Sequence, residues 1–188
     1  MSLWVEALCV QQWALFCEAV SKSDIDSGIV SRGVAFEMLT DKKNSRKPLT
    51  WERNNINILI LEGQRFICPW TETAITTTAY DLDHLIPVSA YPINELWNLV
   101  PSDSYFNLHG KRDRLPSLAK MIQATPILGD TYKKYLNSNV MSPILHEDVA
   151  LRFTTVDFSK SDLENEIARV ASNFVLKIAE ARNLPRFG

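Results

Sequence analysis

Residues 81–89 read DLDHLIPVS, residues 94–101 read NELWNLVP and residues 106–112 read FNLHGKR. These three pieces decide the fold and carry the chemistry. An acid followed directly by histidine, Asp83-His84, supplies a hard oxygen ligand and a neutral nitrogen base in one dipeptide. Hard divalent cations take oxygen ligands, and imidazole accepts a proton from water near neutral pH. Asparagine adds a neutral carbonyl oxygen. Asn107 and Lys111 lie four apart on a predicted helix and so share a face, which aims Asn107 at a metal and Lys111 at a phosphate. Neighbouring strand residues point to opposite sides, so Asp83 and His84 serve one site only if the strand ends or twists there. Pro87, three residues on, makes that ending reasonable.

Working outward, TTTAYDLDHLIP predicts a strand stopped by Pro87, and QRFICPWT a shorter one before it. NELWNLVP predicts a tight helical turn closed by Pro101. Ser102 or Asp103 is placed to cap a helix running to about Arg114, with Leu115-Pro116 as its stop. A strand–strand–helix unit over about 66–115 follows. Around it, residues 3–20 predict a buried helix and residues 28–40 a second. WERNNINILILE predicts a third, with Thr50 as cap and Gly63 as stop. Residues 117–150 predict one or two short helices broken at Pro126 and Pro143. In the last helix, Leu163, Ile167, Val170, Phe174 and Ile178 share one face, which either closes the core or forms a dimer seam. Trp4, Trp13, Phe16, Trp51 and Phe174 stand in apolar company and are expected to pack in the core.

The 188 residues carry 20 Lys+Arg against 22 Asp+Glu, a formal net charge of −2, so binding of nucleic acid by bulk charge is excluded. Phosphate contact is left to local clusters: Lys42, Lys43, Arg46, Lys47 and Arg53, and Lys111, Arg112, Arg114 and Lys120. With 46% apolar residues, six Gly and nine Pro, the chain builds a core and is not low-complexity. Cys9, Cys17 and Cys68 form no C-x-x-C pair, so no structural zinc is expected, and their odd number fits a reducing compartment. The apolar N-terminal run is interrupted by Glu6, Gln11, Gln12 and Glu18, which speaks against a signal peptide or membrane span. The expectation is a cytoplasmic protein with no membrane partner.

At residues Cys68 to Pro116 the sequence resembles the HNH endonucleases of the ββα-metal superfamily. The resemblance rests on the acid–His dipeptide, Asn98 in WNLVP, and Asn107 where many members have a second histidine. D-x-D-H-x-x-P-x-S, with asparagines nine apart, is also similar to the HNH domain of RNA-guided CRISPR nucleases and to stand-alone bacterial HNH proteins. It implies His84 as general base, Asp83 and Asn107 holding one Mg²⁺ or Mn²⁺, Asn98 bracing the loop that orients His84, and Lys111 stabilising charge on the phosphate. It implies DNA as substrate, with Lys111, Arg112, Arg114, Lys42, Lys43 and Lys47 toward the nucleic acid. Asp81 stays open between an outer-sphere role and a solvated strand residue. His109, about 200° around an α-helix from Asn107, cannot share a metal with it.

Two features depart from the family pattern. The zinc-binding cysteine pairs are missing, so Trp70, Trp97 and Phe106 are expected to hold the scaffold by packing. Lys111 also falls one residue later after the terminal asparagine than is commonest. The resulting expectation is an α+β protein, a ββα-metal core at 64–116 between helical regions at 1–63 and 117–188 forming one compact unit. The function implied is metal-dependent DNA hydrolysis in bacterial defence or restriction, delivered by a targeting partner or a homodimer. The rivals are a degenerate HNH fold that only binds nucleic acid or a partner, and an HNH nuclease that acts on RNA or nicks one strand within a larger complex.

Overall fold

A computed structural model describes residues 3–20, 48–91 and 93–188, with the side chains of 3–8 and of residue 10 left aside. The predicted helix at 28–40 and the basic residues Lys42, Lys43, Arg46 and Lys47 lie outside the described residues. The chain divides into two compact units, Met1–Arg46 and Lys47–Gly188. Of the first, the structure describes helix α1, Leu3–Val20. Ala14 is buried there, but Trp13, Leu15, Phe16 and Val20 are exposed, against the expectation of a buried helix. Trp13 and Phe16 stack on one another with centroids 5.4 Å apart, covering part of their surface without leaving water. Among the described residues no helix is long and apolar enough to cross a membrane.

The second unit combines helices with two short sheets, in line with the α+β expectation. Helix α2, Thr50–Leu61, buries Ile56 and Leu59 and ends where Gly63 takes φ +95°, a backbone conformation that favours glycine. Leu49, not Thr50, is its capping position, and no side chain caps it. Strand β1, Tyr80–His84, pairs antiparallel with β2, Leu99–Asp103, with His84 opposite Leu99 and Tyr80 opposite Asp103. The expected strand at QRFICPWT is reduced to a single bridge, Ile67 to Ala74, because the chain reverses at once in a turn closed by Glu72 N–H donating to the Cys68 carbonyl at 2.9 Å. Pro101 does not close the Leu96–Asn98 turn but sits inside β2. The Asn98 carbonyl faces β1, accepting from Leu85 N–H at 2.8 Å, while the Leu99 carbonyl faces away and accepts from the Tyr135 hydroxyl at 3.1 Å. By strand alternation Pro101 shares the outward orientation of Leu99, where its missing N–H costs no ladder bond.

Asp103 caps the following turn, its carboxylate accepting from Phe106 N–H at 2.7 Å. One α-turn, α3 at Ser104–Phe106, runs into a π-helical turn, Asn107–Lys111, and stops three residues short of Arg114. A π-turn is an α-helix holding one extra residue. It absorbs the late position of Lys111 and still brings Asn107 and Lys111 to the strand side. Helix α4, Leu118–Asn137, passes through Pro126 unbroken. The carbonyl that Pro126 leaves unpaired belongs to Ile122, on an exposed face where water can satisfy it. Pro143 likewise lies in the first turn of α5, Met141–Arg152, where no helical N–H partner is needed. Helix α6, Leu163–Ala181, buries Leu163, Ile167, Ala168, Ala171, Val175 and Ala179, with Val170, Phe174 and Ile178 partly buried beside them. Strand β4, Arg186–Phe187, pairs parallel with β3, Leu115–Pro116.

The core joins Trp70 and Trp97 to helices α4–α6. Trp97 meets Phe153 and Phe174 edge-on at 4.9 and 5.7 Å, and Phe187 meets Trp70 and Phe106 at 5.4 and 5.6 Å. Trp51, expected inside, is exposed on the first turn of α2. Cys68 is buried without a cysteine partner, and its sulfur accepts from Asp103 N–H at 3.3 Å.

Two outcomes are expected from this packing. A Cβ at Gly110 would lie 2.5 Å from the Phe106 ring, which is itself wedged against Phe187. Gly110→Ala should lower unfolding stability by about 1–3 kcal/mol in a urea titration. Asp148 accepts from Leu96 N–H at 2.6 Å, and burial pushes its carboxyl above the usual range. Its ionised form is thus disfavoured in the folded chain, so its contribution is fully present at low pH and is lost as pH rises through the raised value. Asp148→Asn should therefore flatten the pH dependence of the melting temperature and raise stability at neutral pH relative to the parent.

Candidate active site

The end of β1 and the π-turn meet at one buried ion pair. Asp83 is 6% exposed and Lys111 1%; their Oδ1 and Nζ lie 2.9 Å apart. Lys111 Nζ also donates to the His84 carbonyl at 2.7 Å, and the Trp70 indole N–H donates to Asp83 Oδ2 at 3.0 Å. A buried indole N–H needs an acceptor and a buried carboxylate needs donors, and both needs are met in one cluster. Lys111 thus turns its ammonium inward onto the strand end rather than outward toward solvent.

The strand ends at His84, directly after Asp83. His84 Nε2 lies 2.8 Å from Asn94 Oδ1. With the amide oxygen facing it, Nε2 carries the proton, and Nδ1 keeps its lone pair. Burial lowers the imidazole pKa below its ordinary range; the Asn94 bond and the Asp83 charge oppose that shift. The net lowering suits a group that must be neutral to take a proton at physiological pH.

Asn98 is fully buried. Its Oδ1 accepts from Ile86 N–H at 2.9 Å and its amide donates to the Ile86 and Ile93 carbonyls at 3.4 Å. It therefore fixes the chain on both sides of the loop that carries Asn94. Asn107 does not bond Asp83; its amide donates to Asp81 Oδ2 at 3.2 Å, and Ser104 donates to Asp81 Oδ1 at 3.2 Å. Asp81 and Asp83, two apart on one strand, share a face. Asp81 there binds Asn107 and Ser104, whereas Asp83 binds the Lys111 ammonium and the Trp70 indole. Among the described residues no group of three or more His, Cys, Asp or Glu side chains is arranged to hold a metal ion.

The remaining cations divide. Arg112 is exposed at φ +52°, its backbone N–H donating to the Asn107 carbonyl at 2.9 Å. Arg114 spends its guanidinium on the Gly110 and Lys111 carbonyls, closing the end of the π-turn. Lys120 donates to Gln123 at 3.5 Å. His109 is exposed, bonded to the Tyr105 carbonyl and stacked on the Tyr105 ring at 4.4 Å. Sequence reading missed Asn94 and Trp70. Asn94 lies in a loop with no periodicity to place it, and Trp70, read only as a packing residue, stands thirteen residues before Asp83 and meets its carboxylate only through the fold.

Residues 68–117 match the family profile described as HNH endonuclease. Such a domain implies nuclease activity in general and nucleic acid as its substrate. No curated protein and no solved structure matches the chain significantly.

Removing Lys111 should leave the Asp83 carboxylate buried without its counter-ion. Lys111→Met is expected to cost about 3–5 kcal/mol in chemical denaturation. Adding Asp83→Asn should recover part of that loss; equal, additive losses would show that the pair is not coupled.

Proposed function

We propose that the chain is a divalent-metal-dependent DNA endonuclease whose ββα core is β1, β2 and the helical turn at 104–111. One observation carries this reading: His84 ends β1, the strand that also carries Asp81 and Asp83, with Nε2 engaged by Asn94 and no partner on Nδ1 among the described residues, while Asp81 holds the Asn107 amide. The donor set fits a hard cation. It holds no sulfur and no second imidazole, and Asp83 bears one hydrogen bond on each oxygen, leaving a lone pair on each. Mg²⁺ is habitually held by one or two carboxylates, with waters and substrate phosphate completing its shell. Asp83 and Asn107 are the proposed ligands, with Asp81 holding the Asn107 amide in place. When bound, the ion supplies neutralisation of the scissile phosphate and of the leaving oxygen.

The chain's own residues do the rest. His84 Nδ1 takes a proton from the attacking water, and Asn94 holds the tautomer and stabilises the imidazolium that forms. Asn98 keeps that loop from moving. Lys111 sets the strand end, and Arg112 is the exposed cation beside the helical turn for the nucleic-acid backbone. We take the cytoplasm as its compartment and a defence or restriction reaction as its setting. Delivery by a partner or as a homodimer fits a net charge of −2, which provides little bulk attraction for DNA.

A second reading has its own observation. Lys111 already neutralises Asp83, as expected of an HNH fold that binds nucleic acid without cutting it. Incubation with plasmid DNA, single-stranded DNA and RNA in Mg²⁺ separates the two. Cleavage should occur and should fall by about 10²-fold or more in His84→Ala. A variant that cuts as well as the parent rules out His84 as the base.

A further inference from the structure

Helix α2 lies outside the segment matched by the family, yet it forms a wall of the candidate site. A cleft of about 450 Å³ opens between α2 and β1, with Thr50, Arg53 and Asn54 on one side and Asp81, Leu82 and Asn107 on the other. Arg53 is solvent-exposed but not loose. Its Nη2 donates to the Tyr80 carbonyl at 3.1 Å, and its guanidinium lies over the Tyr80 ring, 5.1 Å from the centroid. Tyr80 is itself 1% exposed and locked to the same helix, its hydroxyl donating to Asn57 Oδ1 at 2.9 Å and to the Arg53 carbonyl at 3.3 Å. Strand and helix thus preset the guanidinium before any ligand arrives. Among the described residues no carboxylate pairs with Arg53, so most of its five N–H donors remain available.

We propose that Arg53, with Asn54 beside it, is the phosphodiester clamp of this cleft, and that a nucleic-acid backbone runs between α2 and β1. The inference rests on the nuclease reading and deepens it. A planar, weakly hydrated guanidinium held on an aromatic face matches a phosphate's paired oxygens and loses little freedom on binding. It faces Asp81 and Asn107 across the cleft. A strand lying there therefore has one phosphate gripped from the helix side and its neighbour at the oxygen donors. The clamp comes from the helical wrapper, so it belongs to this chain and not to the family core.

The test is equilibrium binding of the full chain to a fluorescently labelled DNA duplex in EDTA, which prevents cleavage, over a range of salt concentrations. A labelled RNA strand forms a second arm. Arg53→Gln should weaken binding about tenfold and reduce the slope of log K against log salt by about one. Arg53→Lys should restore the slope but not the full affinity. Asn54→Asp, which adds a negative charge to the same wall without touching the Tyr80 contacts, should also weaken binding. A lower melting temperature with unchanged affinity and slope in Arg53→Gln would reduce Arg53 to a prop for Tyr80 and overturn the proposal. If the parent binds neither DNA nor RNA, the nuclease reading fails and takes the clamp with it. If the parent binds and both variants bind equally well, only the clamp fails.

Discussion

The second unit depends on the buried contact between Asp83 and Lys111. Taking two charges out of water costs several kcal/mol each, and their attraction repays this only when the geometry is tight and the remaining polar atoms are satisfied. Here they are: Trp70 takes the second carboxylate oxygen, and the ammonium takes the His84 carbonyl as well. Three stretches of chain, the loop at Trp70, the end of β1 and the π-turn, are thereby pinned to one point. An apolar trio of similar volume would pack but would not dictate where the strand ends. The position of His84 follows from that ending.

The helical wrapper supplies what the small central unit cannot. About fifty residues with a two-stranded sheet bury too little apolar surface to stand alone, and small domains of that size commonly lean on metals or disulfides. In this chain the replacement is aromatic. Tyr132 and Tyr135 reach from α4 to the Trp97 and Leu99 carbonyls at 2.6 and 3.1 Å. Phe153 and Phe174 close over Trp97, and Phe187 covers Trp70 and Phe106. Cys68, in a segment where relatives of the pattern would bind zinc, works instead as a buried acceptor for the Asp103 backbone.

How far this was legible in the sequence varied with the kind of signal. Helix α6, whose apolar face recurs at helical spacing, and α2, bracketed by Thr50 and Gly63, were placed within a few residues, and β1 lies inside the longer stretch read as a strand stopped by Pro87. Asn98 was singled out only through the resemblance, and its hydrogen bonds to the Ile86 and Ile93 backbone are what the fold adds. The failures are equally specific. Pro101 suggested a stop because a lone sequence does not reveal which edge of a strand faces a partner. Pro126 suggested a break because the exposure of the Ile122 carbonyl is a tertiary fact. Lys111 looked like a phosphate contact because helical spacing tells which face it shares but not that this face is sealed. The π-turn left no mark beyond the extra residue between Asn107 and Lys111.

The edges of the small sheet have a consequence of a different kind. The outward carbonyls of β1, at Tyr80 and His84, are taken by Arg53 and Lys111. On β2, Leu99 is taken by Tyr135, Pro101 has no N–H to offer, and the Asp103 N–H is given to Cys68. Side chains thus occupy four of the places where another strand would dock. A two-stranded ribbon is normally an open template for strand addition and swapping between copies. In this one the ends of both edges are taken, and Leu82, between the two occupied carbonyls of β1, lines the cleft beside α2, so the stretch left for an incoming strand is short.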